Sequence, residues 1–285
     1  MIDTGVGGKD SETALNRQLS DVGSSLSKIQ KIVLTHLHRD HSGLVNQIKE
    51  KSKAIVYAYN SGKKYSVVEP YDKNELFLKE YIRFGGASHI IPKLLSWIPN
   101  EPFQRLEIQC KLEDGDYLDS GKRFKIIWTP GHSFEHICIH DRDLKVLFSG
   151  DHVLPRITPH LSLHFNEKLN PLKDYLESLE KIRSLDVKLV LPAHEFQFRN
   201  LEERVKEIER HHSSRLEEIK NAVRGGNRTV YQIASKISWI SRPWLFMPFW
   251  VKHMASCETY AHLVYLKTLG EVSESLKNEI LYYEI

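Results

Sequence analysis

One short segment, Thr35-His36-Leu37-His38-Arg39-Asp40-His41-Ser42-Gly43, constrains the fold more than any other part of the chain. It places three histidines and one aspartate within six residues, directly after the apolar run Ile32-Val33-Leu34. Imidazole and carboxylate groups are ligands that suit zinc, and also manganese and iron. The spacing differs from that of a helical zinc site, which needs histidines four residues apart on one helix face. We therefore expect an irregular loop at a strand end, with side chains spread around two metal centres.

Three more candidate ligands stand at, or just beyond, the ends of predicted strands. Strand ends of layered sheets meet along one edge, so residues that are distant in sequence can lie together there. Their placement therefore predicts one shared site. The three residues, each with the strand that it follows, are His132 (Phe124–Trp128), Asp151 (Val146–Phe148) and His194 (Lys188–Leu191).

Hydrophobic periodicity predicts an α/β chain around these motifs. From 71 to 102 the sequence is aromatic-rich and interrupted by Pro and Gly, which predicts inserted short helices that form a lid or pocket wall. The other predicted elements are helices over 10–28, 44–49, 171–185, a long one after Asn200, one from Thr229 to about 237 and one from about 255 to 269, and strands over 31–34, 54–59, 106–110 and 136–140.

Composition excludes several classes of protein. A hydrophobic fraction of 41% and a charged fraction of 27% are typical of a soluble globular protein, and the net charge of +3 does not indicate a nucleic-acid binder. The cysteines Cys110, Cys138 and Cys257 are far apart, so we interpret them as small apolar residues in a reducing compartment. The most apolar window, Trp244 to Trp250, is too short to cross a bilayer. We expect a cytoplasmic protein without a transmembrane segment.

Five sequence motifs, taken in chain order, resemble those of the metallo-β-lactamase-fold hydrolases. They span about the first two-thirds of the chain. The resemblance implies an αββα sandwich. It also implies that His36, His38 and His132 hold one metal ion, that Asp40, His41 and His194 hold the second, and that Asp151 bridges the two. Two zinc ions are expected, with manganese or iron as alternatives. The matching motifs are Asp3-Thr4-Gly5, His36-x-His38-x-Asp40-His41, Gly131-His132, Gly150-Asp151 and Pro192-Ala193-His194.

The start of the chain departs from the family pattern. Asp3 would be a buried supporting carboxylate, and relatives normally carry two or more strands before this motif. We therefore expect N-terminal strands of the first sheet to be missing, so that either the true start lies upstream of Met1, or another chain covers the edge, or the protein is marginally stable.

The tail resembles the winged-helix-like C-terminal domain of a subset of this superfamily, the one related to the mitochondrial lactamase-like endoribonuclease. The resemblance rests on Thr229–Ala234 and Glu258–Leu263. We predict a catalytic domain over 1–200, including the insertion near 71–102, and a long helix plus winged-helix-like domain over 201–285. The helix that would read DNA offers Glu258, His262 and Lys267, and it lacks side chains that read base edges, so sequence-specific DNA binding is not expected.

The remaining histidines and the aromatic run are interpreted separately. His136 and His140, and the pair His211-His212, are expected to be packed or solvated rather than ligands. His160 and His164 follow Asp151 closely enough to line a pocket, and the sequence leaves that question open. For Trp97 and the run Trp244 to Trp250, interdomain packing is favoured over a substrate wall or a membrane-touching patch.

Three functions fit the motifs. The leading one is a metal-dependent hydrolase in which a hydroxide bound by two zinc ions attacks an ester, thioester or related acyl bond, with Asp40 and Asp151 as catalytic residues. The alternative is an endoribonuclease that cuts single-stranded RNA, which the family of the tail supports. The third is a non-catalytic, metal-stabilised module that binds RNA or a protein partner. The expected partner is therefore a small acyl substrate or single-stranded RNA, and the sequence leaves the oligomeric state open.

Overall fold

The computed structural model describes residues 1–60, 65–66, 73–86, 106–164, 168–239 and 243–285. The parts of the predicted insertion at 71–72 and 87–102, which include Trp97, lie outside the described residues. The helices are α1 (Lys9–Asp21), α2 (Arg39–Ser42), α3 (Val45–Lys51), α4 (Lys73–Arg83), α5 (Pro171–Arg183), α6 (Leu201–Arg224), α7 (Val230–Ala234) and α8 (Phe249–Thr268). The strands are β1 (Lys31–Val33), β2 (Ile55–Tyr59), β3 (Tyr65–Ser66), β4 (Leu106–Glu107), β5 (Cys110–Leu112), β6 (Phe124–Trp128), β7 (Ile137–Asp141), β8 (Val146–Gly150), β9 (Leu189–Pro192), β10 (Ser273–Lys277) and β11 (Ile280–Glu284).

Two predicted helices differ from the observed ones by six or more residues at one end, and the helix predicted to reach about 237 ends at Ala234. The helix predicted over 10–28 ends at Asp21, because Gly23, with φ of +70°, closes it: Gly23 N–H donates to Ser20 O and Ser24 N–H donates to Leu19 O. A separate 3-10 turn, Leu26–Lys28, follows. In the tail, α8 begins at Phe249 rather than near 255, directly after Pro248, which is compatible with a helix start but not with a helix interior.

The residue contacts divide the chain into two compact units. The first contains Met1–Val68, Phe103–Pro159 and Glu177–Arg204, and the second contains Glu69–Pro102, His160–Leu176 and Val205–Ile285. The described part of the insertion, α4, therefore packs in the second unit, whereas the sequence-based division assigned it to the catalytic domain. The predicted domain boundaries stay a prediction.

The first sheet of the first unit has the order β1-β2-β5, with all strands parallel. Its side chains alternate between two cores, as expected for a sheet covered on both faces. Val56 and Ala58 pack with Ile48 of α3 on one face. Tyr57 and Tyr59 contribute to the core on the other face, together with apolar residues of β6 and β7. This second core joins the two sheets of the unit into a sandwich.

The second sheet has the order β6-β7-β8-β9. β7 is antiparallel to both β6 and β8, and β8 is parallel to β9, so β6, β8 and β9 run in one direction. The segments that follow these three strands therefore leave the sheet at the same edge. His132, Asp151 and His194 lie on those segments, which is the placement that the sequence predicted.

The first three residues pair with the edge of β1. Val33 N–H donates to Met1 O, and Asp3 N–H donates to Val33 O, both at 2.9 Å. Asp3 then turns with a positive φ of 50°. This pairing brings the Asp3 carboxylate to the carboxyl end of β1, where the histidine-rich loop begins.

The second unit has its own apolar core. It is built from α6, α7, α8 and the antiparallel hairpin of β10 and β11, with Phe84, Val230, Leu263 and Tyr283 among its fully buried side chains. Helix α7 begins with a capping box, in which Thr229 and Gln232 each accept a backbone hydrogen bond from the other. The resemblance of this region to a winged helix stays a prediction.

Candidate metal centre

The histidine-rich loop, residues 35–43, is held against the first residues of the chain by backbone contacts. It is not irregular throughout, as the sequence predicted, because Arg39–Ser42 form the short helix α2. Thr4 N–H and Thr4 Oγ1 both donate to His41 O, at 2.6 and 2.9 Å, and Gly43 N–H donates to Gly5 O at 3.0 Å. A Cβ at Gly43 would lie 2.2 Å from Gly7 N and 2.5 Å from Arg39 O, so only glycine fits at this close approach. These contacts fix both His41 and Gly43 against residues 4–7.

Three histidine nitrogens converge into a first donor set. His36 Nε2 lies 2.9 Å from His38 Nδ1, and His132 Nε2 lies 3.0 Å from the same Nδ1. The ligand atoms of all three residues lie within 4.8 Å of one another. These are the three residues that the sequence assigned to the first metal ion, and they come from two loops that are almost a hundred residues apart.

A second donor set contains Asp40, His41 and His194. Asp40 Oδ2 lies 3.6 Å from His41 Nε2 and 3.3 Å from His194 Nε2. Their ligand atoms also lie within 4.8 Å of one another. The structure therefore brings together the residues that the sequence assigned to a second metal ion.

Asp151 lies between the two sets and divides its carboxylate oxygens between them. Its Oδ2 is 3.5 Å from His132 Nε2 in the first set. Its Oδ1 is 3.5 Å from His41 Nε2 and 3.4 Å from His194 Nε2 in the second set. This is the arrangement that a carboxylate bridging two cations requires.

The buried polar atoms of this cluster fit a bound cation. Among the described residues, His41 Nε2 and Asp151 Oδ1 are buried without a hydrogen-bond partner. An unsatisfied buried donor or acceptor costs about 1–3 kcal/mol, so native structures rarely keep two side by side. A divalent ion would satisfy both atoms. The residues present therefore fit a metal centre.

Asp3 and Thr35 orient two of the histidines from behind. Asp3 Oδ2 accepts from His41 Nδ1 at 2.9 Å and from Thr35 Oγ1 at 2.8 Å, while Asp3 Oδ1 accepts from Thr35 N–H at 2.8 Å. Thr35 Oγ1 also lies 3.1 Å from His36 Nδ1 and can accept its proton. Both imidazoles then direct Nδ1–H toward these oxygens and Nε2 into the site, as metal-binding histidines do.

His136 holds the bridging residue in place, although it belongs to neither set. The backbone N–H of Asp151 donates to His136 Nε2 at 3.1 Å, and His136 Nδ1 bonds Thr129 Oγ1 at 2.8 Å. The sequence predicted His136 to be packed or solvated rather than a ligand, and it is completely buried. Its role toward Asp151 was missed because the hydrogen bond depends on how β7 and β8 pair.

Charge in the site favours a cation. Burial lowers the pKa of His36 well below 6.5, as does the proximity of other histidines, so it is neutral at pH 7. Burial also lowers the pKa of His41, but the adjacent carboxylates of Asp151 and Asp3 outweigh it and raise this pKa to about 10. Burial raises the pKa of Asp151, and His41 and the neighbouring histidines lower it more, so its carboxylate is ionised. The carboxylates therefore stabilise positive charge at the position of His41.

The second donor set is open to small molecules. The side chains of Asp40 and His194 are 49% and 41% exposed, whereas that of His41 is 2% exposed. These three residues form part of the wall of a cavity of about 750 Å³, whose other lining residues are mostly apolar. A bound molecule would meet polar donors on one side and apolar surface on the other.

Other residues that the sequence singled out lie elsewhere. His160 and His164 bond Glu258 and Glu80 in the second unit, both at 2.8 Å. The aromatic run does not pack as a whole: Trp244 contacts Tyr231, but Leu245, Phe246 and Trp250 are 77%, 69% and 58% exposed. The packing predicted for this run is therefore wrong for these three side chains.

Sequence comparison identifies the family. A model described as the metallo-beta-lactamase superfamily matches residues 1–194. The chain belongs to this superfamily. The prediction of a metallo-β-lactamase-fold, metal-dependent hydrolase is thereby confirmed, and the mixed α/β fold agrees with it. Among the described residues, no helix is long and apolar enough to span a membrane.

The relatives of this chain match different shares of its length. The probable metallo-hydrolase YqjP of Bacillus subtilis (strain 168) is 22% identical over 302 residues, covering 100% of this chain and 89% of that protein. The crystal structure of the metallo-beta-lactamase family protein TTHA1429 from Thermus thermophilus matches with a TM-score of 0.78 and 25% identity, over 99% of this chain and 88% of that chain. The acyl-coenzyme A thioesterase MBLAC2 of Gallus gallus is 30% identical over 169 residues, covering 57% of this chain and 55% of that protein.

Proposed function

We propose that this chain is a thioester or ester hydrolase with a centre for two zinc ions. The observation that carries the proposal is the division of the Asp151 carboxylate between two three-residue donor sets, at 3.4 to 3.5 Å from histidine nitrogens on each side. Histidine and carboxylate donors in this number suit zinc, and they also suit manganese or iron.

In this proposal each metal ion is held by its own set of side chains. His36, His38 and His132 would hold the first ion, and Asp40, His41 and His194 the second, with Asp151 shared. When bound, two such ions supply an activated water near neutral pH and stabilise the negative charge that develops on the substrate oxygen.

The protein groups have separate tasks in the reaction. Asp151 is ionised and buried, so it fixes the spacing of the two sets and does not exchange protons at neutral pH. Asp40 is half exposed, so its carboxylate can accept a proton from the attacking water and release it to solvent. Asp3 and Thr35 keep His41 and His36 in the tautomer that the site needs.

An acyl substrate is favoured by two observations. The relative MBLAC2 is named an acyl-coenzyme A thioesterase, and its match covers 57% of this chain. The cavity beside Asp40 and His194 combines polar donors with an apolar wall, which suits a molecule with a carbonyl group and a hydrocarbon part. The tail helix α8 does not favour nucleic acid: His262 is buried, Glu258 bonds His160, and Lys267 bonds Glu274.

The test is a hydrolysis assay with zinc-loaded protein on an acyl-coenzyme A, a short-chain ester and labelled single-stranded RNA. The parent protein is compared with Asp40→Ala, Asp151→Asn and the control Asp10→Asn, which changes an exposed aspartate of α1. We expect thioester or ester turnover in the parent and the control, and a loss of at least about a hundredfold in the two site variants. RNA cleavage without acyl turnover would replace this proposal by the endoribonuclease function.

A further inference from the structure

A second cluster of metal-binding side chain types lies in the second unit of the fold. It contains Glu80 of α4, His164, and His253 and Cys257 of α8. None of these four residues belongs to the candidate metal centre or to the motifs that identify the family. The sequence interpretation treated Cys257 as an apolar packing residue.

The ligand atoms of the four residues converge. His164 Nδ1 lies 2.8 Å from Glu80 Oε1, His253 Nε2 lies 3.2 Å from Glu80 Oε2, and Cys257 Sγ lies 3.5 Å from His253 Nε2. The ligand atoms of Glu80, His164 and Cys257 lie within 4.8 Å of one another. His253 adds a fourth donor beside this group through its contacts with Glu80 and Cys257.

The local structure holds the four side chains in these positions. His253 and Cys257 are four residues apart on α8, so they share one helix face. Leu163 N–H donates to Cys257 O at 3.4 Å, which fixes the segment that carries His164 beside the helix. The ring of Phe77 packs on the His253 imidazole, with 3.9 Å between the ring centroids. The cluster is therefore built from three separate segments of the second unit.

The geometry argues against a catalytic relay of the cysteine, histidine and carboxylate type. In such a relay the histidine contacts the nucleophile with one ring nitrogen and the carboxylate with the other. Here Glu80 Oε2 and Cys257 Sγ both approach Nε2 of His253. His253 Nδ1 is buried and has no hydrogen-bond partner within the described part of the chain. Cys257 is 2% exposed, so a substrate would not reach its sulfur.

The two separations at His253 Nε2 match those of a tetrahedral zinc site. With Zn–N and Zn–O distances of about 2.0–2.2 Å and a Zn–S distance of about 2.3 Å, neighbouring ligand atoms lie about 3.3–3.6 Å apart. The separations at His253 Nε2, 3.2 and 3.5 Å, agree with this range. The 2.8 Å separation between His164 and Glu80 is that of a hydrogen bond, and it has to open by about 0.5 Å when a cation replaces the proton.

The charges of the donor set suit a divalent ion. Glu80 is completely buried and lies against two histidines, and a buried carboxylate is stable only where positive charge or hydrogen bonds compensate it. A glutamate carboxylate and a cysteine thiolate carry two negative charges, and two neutral imidazoles add none, so one divalent cation makes the site neutral. A thiolate with imidazoles selects zinc over magnesium or calcium. The His164 side chain is 39% exposed and leaves a path by which the ion can enter.

We propose that Glu80, His164, His253 and Cys257 form a mononuclear zinc site in the second unit, separate from the hydrolytic centre. All four positions of the tetrahedron are filled by protein, which is the arrangement of a structural rather than a catalytic zinc site. The ion would tie α4 and the segment ending at His164 to α8.

The experiment is cobalt substitution of the metal-free full chain, together with zinc counting by mass spectrometry. Cobalt bound to a thiolate gives an intense near-ultraviolet charge-transfer absorption, and the residues of the hydrolytic centre include no sulfur. We expect this absorption in the parent protein and in the control Cys110→Ser, and its loss in Cys257→Ser. The bound zinc should fall by one ion per chain in Cys257→Ser and stay unchanged in the control.

His164→Ala serves as the second variant, because its half-exposed side chain can be removed without opening the core. We expect it to stay folded and to bind zinc at this site at least tenfold more weakly. Absence of the charge-transfer absorption in the folded parent, or equal zinc content in the parent, Cys257→Ser and His164→Ala, would overturn the proposal. Because the readouts are absorption and metal content, they do not depend on whether the chain hydrolyses any thioester.

Discussion

His41 Nδ1 and Asp3 Oδ2 lie 2.9 Å apart, with the imidazole buried and the carboxylate mostly buried behind it. The same carboxylate accepts the backbone N–H and the hydroxyl of Thr35, one residue before the first histidine of the site. Asp3 therefore links Thr35, at the start of the histidine-rich loop, to His41 near its end. A single carboxylate outside both donor sets orients one histidine in each set, His41 directly and His36 through Thr35.

Replacement of Asp3 is predicted to weaken the second metal position. In Asp3→Asn the side chain keeps its shape but loses its charge, so His41 is held less firmly with Nε2 facing the site. Loss of such a supporting carboxylate typically lowers metal affinity about 10–100-fold. Titration of the metal-free protein with zinc against a chromophoric chelator measures this. The control Asp10→Asn should match the parent, and unchanged affinities in Asp3→Asn would refute the supporting role.

Replacement of His136 is predicted to loosen Asp151. His136→Leu leaves the backbone N–H of Asp151 and the hydroxyl of Thr129 without their buried partner, at a cost of about 1–3 kcal/mol for each group. We expect lower stability in denaturant titration and weaker metal binding. The matched control is His140→Leu in β7, the strand that begins directly after His136, because the His140 ring lies 3.4 Å from Asp186 O and contacts no donor of the centre. Equal effects of the two substitutions on metal binding would contradict the proposed role of His136.

Gly43 is predicted to tolerate no side chain. A Cβ there would lie 2.2 and 2.5 Å from backbone atoms, which cannot move aside as a flexible side chain does. Gly43→Ala should therefore separate the histidine-rich loop from residues 3–7 and lower both stability and metal content. The control is Gly23→Ala, where the Cβ meets nothing within 4 Å and the cost is the left-handed backbone alone, about 1–2 kcal/mol. Thermal unfolding and metal analysis of both variants test this, and equal melting temperatures would refute it.

The sequence predicted well what depends on local pattern. The strand Phe124–Trp128 has the predicted bounds, and all seven predicted ligands lie at the predicted edge of the sandwich. The reason is physical: strand periodicity is a local property, and the carboxyl ends of parallel strands meet at one edge. The ligand roles themselves stay a prediction until metal is measured.

Contacts between distant segments could not be predicted in this way. The hydrogen bond from the Asp151 backbone to His136 depends on the register of β7 against β8, and the Glu80 cluster depends on how three separate segments pack. A local signal for the cluster was present in His253-x-x-x-Cys257, since this spacing places two ligands on one helix face. It predicts a site only once a partner segment is known.

A buried histidine pair is predicted to make the stability of the second unit depend on pH. His212 Nδ1 bonds His262 Nε2 at 3.1 Å, and His262 Nδ1 bonds Glu258 O at 2.8 Å, so both rings are neutral. Burial is the largest cause that lowers both pKa values below 6.5, and that of His212 lies well below. The unfolded chain therefore binds more protons than the folded chain once the pH falls below about 6.5.

The sign follows from this difference in bound protons. The contribution of the pair to stability is fully present above about pH 7 and falls below pH 6.5, by up to about 1.4 kcal/mol per pH unit for each histidine. His212→Gln removes one of these sites while keeping an amide donor for His262. Denaturant titrations at pH 7.5 and 5.5 should therefore give a smaller loss of stability in His212→Gln than in the parent. The neighbouring His211, which is only partly buried, is the matched control, and His211→Gln should lose as much as the parent. An equal loss in all three proteins would mean that the pair is already protonated in the folded state.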